Sequence, residues 1–110
     1  MNNLGDVEIT LKDKPHVLRC SLRAAQTVSA LSGGFSGAFE GIARYNMSTY
    51  AAIVASGLNK RTGAELSEVE EMVYETGLES LTSPLSKYVA RLMSGGRDPV
   101  KVEDGTSGKE

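Results

Sequence analysis

His16 and Cys20 are the only imidazole and the only thiol in the sequence, and they stand four positions apart. A histidine-based triad, a two-histidine metal site and a zinc finger each need further partners of this kind. On one strand, residues four apart are separated by about 13 Å, so His16 does not reach Cys20 to activate it. His16 therefore reads as a packing or rim residue, and Cys20 as a small buried filler. Glu68, Glu70, Glu71, Glu75 and Glu79 make an acidic run in which Glu68, Glu71 and Glu75 share one helical face. No histidine joins them, and acids near a helix N-terminus are favoured by its macrodipole. The run reads as a solvated face, acidic enough to meet a basic partner helix.

The remaining motifs are weaker. Residues 105–110 contain Gly108-Lys109 but lack the spacing, the Ser/Thr and the following helix of a phosphate loop. Gly33, Gly37 and Gly41 have G-x-x-x-G spacing, which marks helix dimerisation only inside an apolar membrane span. Asn46-Met47-Ser48 fits a glycosylation acceptor, which means nothing without export. Lys60-Arg61 between two helical patterns suggests a helix-turn-helix that binds DNA, but the helix that would read bases begins Ser67-Glu68-Val69-Glu70-Glu71 and would be repelled by phosphates. No catalytic, cofactor-binding or metal-ligating set is expected.

Composition agrees with that reading. Twelve Lys and Arg against fourteen Asp and Glu give a net charge of −2, and the two signs interleave, so nucleic acid and anionic membranes are not expected partners. One cysteine makes no internal disulfide, and residues 1–6 lack the basic and apolar regions of a signal peptide; a cytoplasmic location is expected. No apolar run approaches the ~20 residues that cross a bilayer. At this length a single domain buries roughly 60–65% of the unfolded chain's surface.

The elements that must position these groups follow from periodicity. Residues 7–12 alternate with period two, sending Val7, Ile9 and Leu11 to one face; Asp13-Lys14-Pro15 is the expected turn, and residues 16–20 return as a second strand. Ser21 caps a helix with Ala25, Val28 and Leu31 inward, which ends at Gly33-Gly34. Phe35, Ala38, Phe39 and Ile42 share an arc of a second helix and are expected to nucleate the core. Asn46 or Ser48 caps a third, with Tyr50, Ile53, Val54 and Leu58 inward and Gly57 admitting a close neighbour. Residues 59–65 read as a polar loop, and Ser67-Glu68-Val69-Glu70 as the capping box of a fourth helix with Val69, Met72, Val73 and Thr76 inward and Gly77 at its C-cap. Ser83-Pro84 marks the start of a fifth, with Leu85, Tyr88, Val89, Leu92 and Met93 inward. The fold expected is α+β, mostly α: an N-terminal β-hairpin followed by a bundle of about four to five short helices over residues 1–96, with a flexible polar tail over 97–110.

Contact with a partner is the remaining mode of action. Tyr74 lies about 140° from Val69 on its helix, opposite the inward stripe, and exposed aromatics anchor partners. Met47, Met72 and Met93 are adaptable apolar side chains. With Tyr88, Glu71 and Glu75 these form the expected partner-binding set.

Residues 7–19, then Phe39 with Ala43-Arg44-Tyr45, Ala55-Ser56-Gly57-Leu58 and Val73-Tyr74-Glu75-Thr76-Gly77-Leu78, resemble the small tail-assembly proteins of gene transfer agents and related long-tailed phages, over about residues 5–98. The resemblance implies a non-enzymatic tail-assembly chaperone in the cytoplasm of a bacterial host cell. Such a protein holds the long, apolar tape-measure protein soluble while tail tube protein polymerises around it, and self-association is left open. The same resemblance implies a longer product made by ribosomal frameshifting, for which the codons of Gly108-Lys109 are a candidate slippery site. A tail or head–tail connector subunit and a small helix-turn-helix regulator are the alternatives.

Overall fold

The computed structural model describes residues 5–31 and 33–96; the expected tail, with Gly108-Lys109, lies outside them. Alternation gives β1 (Val7–Leu11), with Val7, Ile9 and Leu11 buried and Glu8 and Thr10 exposed. It pairs antiparallel with β2 (Lys14–Leu18), Leu11 opposite Lys14 and Val7 opposite Leu18. Five helices follow: α1 (Leu22–Ser29), α2 (Gly34–Ala43), α3 (Met47–Leu58), α4 (Gly63–Thr76) and α5 (Leu78–Met93). The result is the expected α+β, mostly helical architecture.

The hairpin turns earlier than the sequence suggests. Lys12 and Asp13, at φ 51° and 68°, form a two-residue loop whose left-handed residues match the twist of the strands. Pro15 falls inside β2, opposite Thr10. Leu11 and Lys14 close the loop as a hydrogen-bonded pair, so Pro15 occupies the next, non-bonded pair, where its missing N–H removes no ladder bond. Lys12 is held in its unusual conformation from α4: its N–H donates to Thr76 Oγ1 at 2.9 Å and its Nζ lies 2.9 Å from Glu75 Oε1.

Two further boundaries differ. The capping box is Thr62 with Glu65, one turn before Ser67: Thr62 Oγ1 accepts from Glu65 N–H at 3.1 Å, and Glu65 Oε1 accepts from Thr62 N–H at 3.1 Å. Ser67 lies inside α4. The helix gains a turn because Thr62-Gly63-Ala64-Glu65 carries the same box spacing and the exposed Gly63 is tolerated in the first turn. Similarly, Pro84 lies inside α5, which starts at Leu78 after the single residue Gly77. An interior proline costs on the order of 3 kcal/mol. The turns ahead of it are held by burial of Leu81 and by Thr82, whose Oγ1 lies 2.6 Å from Tyr50 Oη. Ser21 and Asn46 cap α1 and α3 as expected, accepting from Ala24 N–H at 3.1 Å and Thr49 N–H at 3.2 Å.

The core is built around two tyrosines, and Phe35 and Phe39 pack only at its margin. Tyr50 and Tyr88 have no exposed surface and are the largest fully buried side chains. Buried hydroxyls need partners. Tyr50 Oη donates either to Ile42 O at 3.0 Å or to Thr82 Oγ1 at 2.6 Å, and Thr82 Oγ1 donates to Leu78 O at 3.0 Å. The relay from Tyr50 through Thr82 to Leu78 strands nothing, because Ile42 O also accepts from Tyr45 N–H at 3.1 Å. The relay ties α3 to α5, and the alternative bond to Ile42 O ties α3 to α2. Tyr88 Oη donates to Arg19 O at 2.6 Å, joining α5 to the end of the hairpin.

Two close approaches finish the packing. A Cβ at Gly57 would sit 2.7 Å from Leu18 Cβ, which is why β2 can lie on α3, and Arg19 N–H donates to Gly57 O at 2.9 Å. At one pole, Gly5 is pressed against Gly96: a Cβ there would come within 2.7 Å of the Gly96 Cα. Beside them Asp6, almost wholly buried, accepts from Cys20 N–H at 2.8 Å, and Arg91 Nη1 donates to Asp6 O at 3.2 Å.

Candidate functional site

Helix α3 carries small side chains on the face turned away from the core. Tyr50, Ile53, Val54 and Gly57 face inward, while Ser48, Ala52 and Ser56 face outward with α1 and α2 on their flanks. Because these outward side chains are small, the surface over them is sunken. A cavity of about 670 Å³ lies between α1, α3 and the α3–α4 connection, and a second of about 310 Å³ lies between α2 and the start of α3. Leu31 and Ala52 line both, so the two cavities adjoin along the outer face of α3, and together they make up its groove. From Ser48 to Asn59 it runs roughly 16 Å, at a helical rise of about 1.5 Å per residue.

The larger end is lined by Arg19, Arg23, Lys60 and Arg61, with no carboxylate among its lining residues. Arg19 is partly matched by Asp6, whose Oδ2 is 4.0 Å from its Nη1. Arg61 Nε donates to Asn59 Oδ1 at 3.0 Å, and neither Arg23 nor Lys60 lies within 4.0 Å of a carboxylate among the described residues. Glu65 sits close by, but its Oε1 is turned onto the N–H groups of Arg61 and Thr62, at 2.9 and 3.1 Å. Those backbone bonds, more than the neighbouring Lys60, hold its carboxyl below the usual range. Leu66 and Leu31 complete the apolar wall.

Cys20 lines the same groove, half-buried. Burial pushes its thiol up, and the nearby Asp6 adds to this, so the group stays protonated near neutral pH and is a poor nucleophile. His16 is half-buried on β2, opposite Ile9.

The residues expected to meet a partner do not converge. Tyr74, 71% exposed, stands on the outer face of α4 with Glu71 exposed beside it, and Glu75 is paired to Lys12. Met47 is at the start of α3 and Met93 at the end of α5, both exposed, while Met72 is half-buried against the core. Tyr88 is a correction: it is fully buried, with its hydroxyl committed to Arg19, and offers a partner no surface. None of the seven lines the groove. The sequence held one signal for the groove, the small residues 48, 52 and 56 recurring on α3 at one turn's spacing. The gathering of Arg19 and Arg23 with Lys60 and Arg61 had no local sign.

Among the described residues no three His, Cys, Asp or Glu side chains are grouped to hold a metal ion, and no helix is long and apolar enough to cross a membrane. No protein-family model, curated protein or solved structure matches the chain.

Proposed function

We propose that this chain is a non-enzymatic tail-assembly chaperone of a phage or gene transfer agent, which binds the tape-measure protein during tail morphogenesis in the bacterial cytoplasm. The observation that carries the reading is the groove along the outer face of α3, a depression floored by small side chains and walled by Leu31 and Leu66 on a small helical module. Covering the apolar stripe of a long helical client requires such a surface and no bond-making chemistry. The hairpin-plus-bundle fold and the sequence resemblance over residues 5–98 support the same reading.

Co-expression with a tape-measure protein from the same genome tests the proposal. A chaperone raises the soluble fraction of the client and is missing from finished particles. Persistence in particles would assign the chain to a connector or tail subunit instead, and unchanged client solubility would end the chaperone reading.

A further inference from the structure

We infer that the groove along α3 receives a short amphipathic helix of another polypeptide, apolar where it faces α3 and acidic along the flank that meets Arg23, Lys60 and Arg61. This deepens the chaperone reading and rests on it, by giving the chemistry of the client segment.

The occupant is helical because of what the floor offers. From Tyr50 onward the α3 amides are engaged in the helical ladder, Thr49 N–H is taken by Asn46 Oδ1 and Gly57 O by Arg19 N–H, so no row of free N–H and C=O groups is presented to an added strand. Small side chains at Ser48, Ala52 and Ser56 let a second helix approach to the ~8–10 Å of ordinary helix packing. A groove of roughly 16 Å takes about eleven helical residues, or three turns.

The sign of the flank follows from charge. The chain carries a net −2, yet every charged residue lining the larger cavity is a cation. Acidic residues on the incoming helix meet Arg23, Lys60 and Arg61 at the solvent-exposed rim, while its apolar stripe covers Leu31, Ala52 and Leu66. Nucleic acid fits less well: no aromatic side chain lines either cavity for a base to stack on, and the exposed Glu68, Glu70 and Glu71 of α4 repel phosphates. A second copy also fits less well. Its acidic face on α4 exposes only Tyr74 as a large apolar group, since Leu66 already lines that copy's own groove.

The test uses the full chain and two fluorescein-labelled synthetic helices of about twelve residues, each with leucine at i, i+3, i+4 and i+7. One carries glutamate on its flanks and the other lysine; a double-stranded DNA oligonucleotide is the third probe. Anisotropy should show saturable, salt-weakened binding of the glutamate helix only. Two variants act independently on the solvent side: Ala52→Leu fills the junction of the cavities, and Arg23→Glu with Lys60→Glu reverses the rim. Each should weaken the glutamate helix about tenfold, and the reversal should also let the lysine helix bind. Circular dichroism and thermal melts show that each variant is folded; should one fail, the other still decides.

Equal binding of both helices, no binding, indifference to both variants, preference for DNA, or self-association abolished by the same variants would each overturn the inference. If the glutamate helix binds but the tape-measure protein stays insoluble, the chaperone reading fails and the groove assignment stands. The converse result removes the groove and leaves the chaperone.

Discussion

The Tyr88 hydroxyl donates to the Arg19 carbonyl at 2.6 Å, joining residues 69 positions apart in the chain. That bond pins the last helix to the exit of the hairpin. Tyr88→Phe leaves that carbonyl without this donor and should cost about 1–2 kcal/mol in urea denaturation.

Alkaline sensitivity should follow from the same corner. Burial, then Cys20 and Asp6, push the Tyr88 phenol above its ordinary 10.0, and burial, then Asp6, push the Cys20 thiol above 9.0. Both groups are neutral when protonated, and the unfolded chain loses these protons at lower pH than the folded one. Stability is therefore full below about pH 9 and falls as pH rises through the two ordinary values. Lys12, raised by its hydrogen bond to Glu75, adds a loss above 10.5. Melting temperatures from about pH 7 to 11 should decline over this range, and Tyr88→Phe with Cys20→Ala should flatten the first part of the decline.

Gly57→Ala drives a methyl into Leu18, whose Cβ and Cα lie 2.7 and 3.0 Å from the new atom. Alanine gains about 1 kcal/mol of helix propensity, but the overpacked contact should outweigh it for a net loss of about 1–2 kcal/mol. A lower urea midpoint with an unchanged slope would report this.

Thr62→Ala should destabilise by about 1 kcal/mol, since it removes the N-cap of α4, while Ser67→Ala, exposed inside the helix, should be neutral or slightly stabilising. Paired thermal melts distinguish the two; equal effects would refute the assigned start of α4.

Asp13→Gly should stabilise by about 0.5–1 kcal/mol, because Asp13 sits at φ 68° and glycine adopts that conformation without a Cβ penalty. A rise in melting temperature is the expected readout.

Signals carried by a few consecutive residues were legible. Val7, Ile9 and Leu11 announced their shared face, Ser21 its cap, and Gly77 the end of α4, while Asn46 stood as one of two candidate caps with Ser48. Where two local signals competed, tertiary packing chose between them. Thr62 and Ser67 both open a box with a glutamate three residues on, and Pro84 resembles a helix start unless Leu81 and Thr82 are already held ahead of it. Aromatic content pointed to Phe35 and Phe39 as the core, yet the buried rings are tyrosines whose hydroxyls found distant acceptors. The groove was least legible, since its cations come from the end of the hairpin, α1 and the α3–α4 connection and meet only because α1 packs on α3.

The abutment of Gly5 and Gly96 has a mechanical consequence. Tension applied through both flanking segments enters at a single point and peels β1 from α5 one contact at a time, so the module should yield readily to stretching. Joining those two residues through a short glycine-serine bridge should cost little loop entropy, and a ring made in this way could be opened at a surface turn such as 59–61 to give a permuted chain.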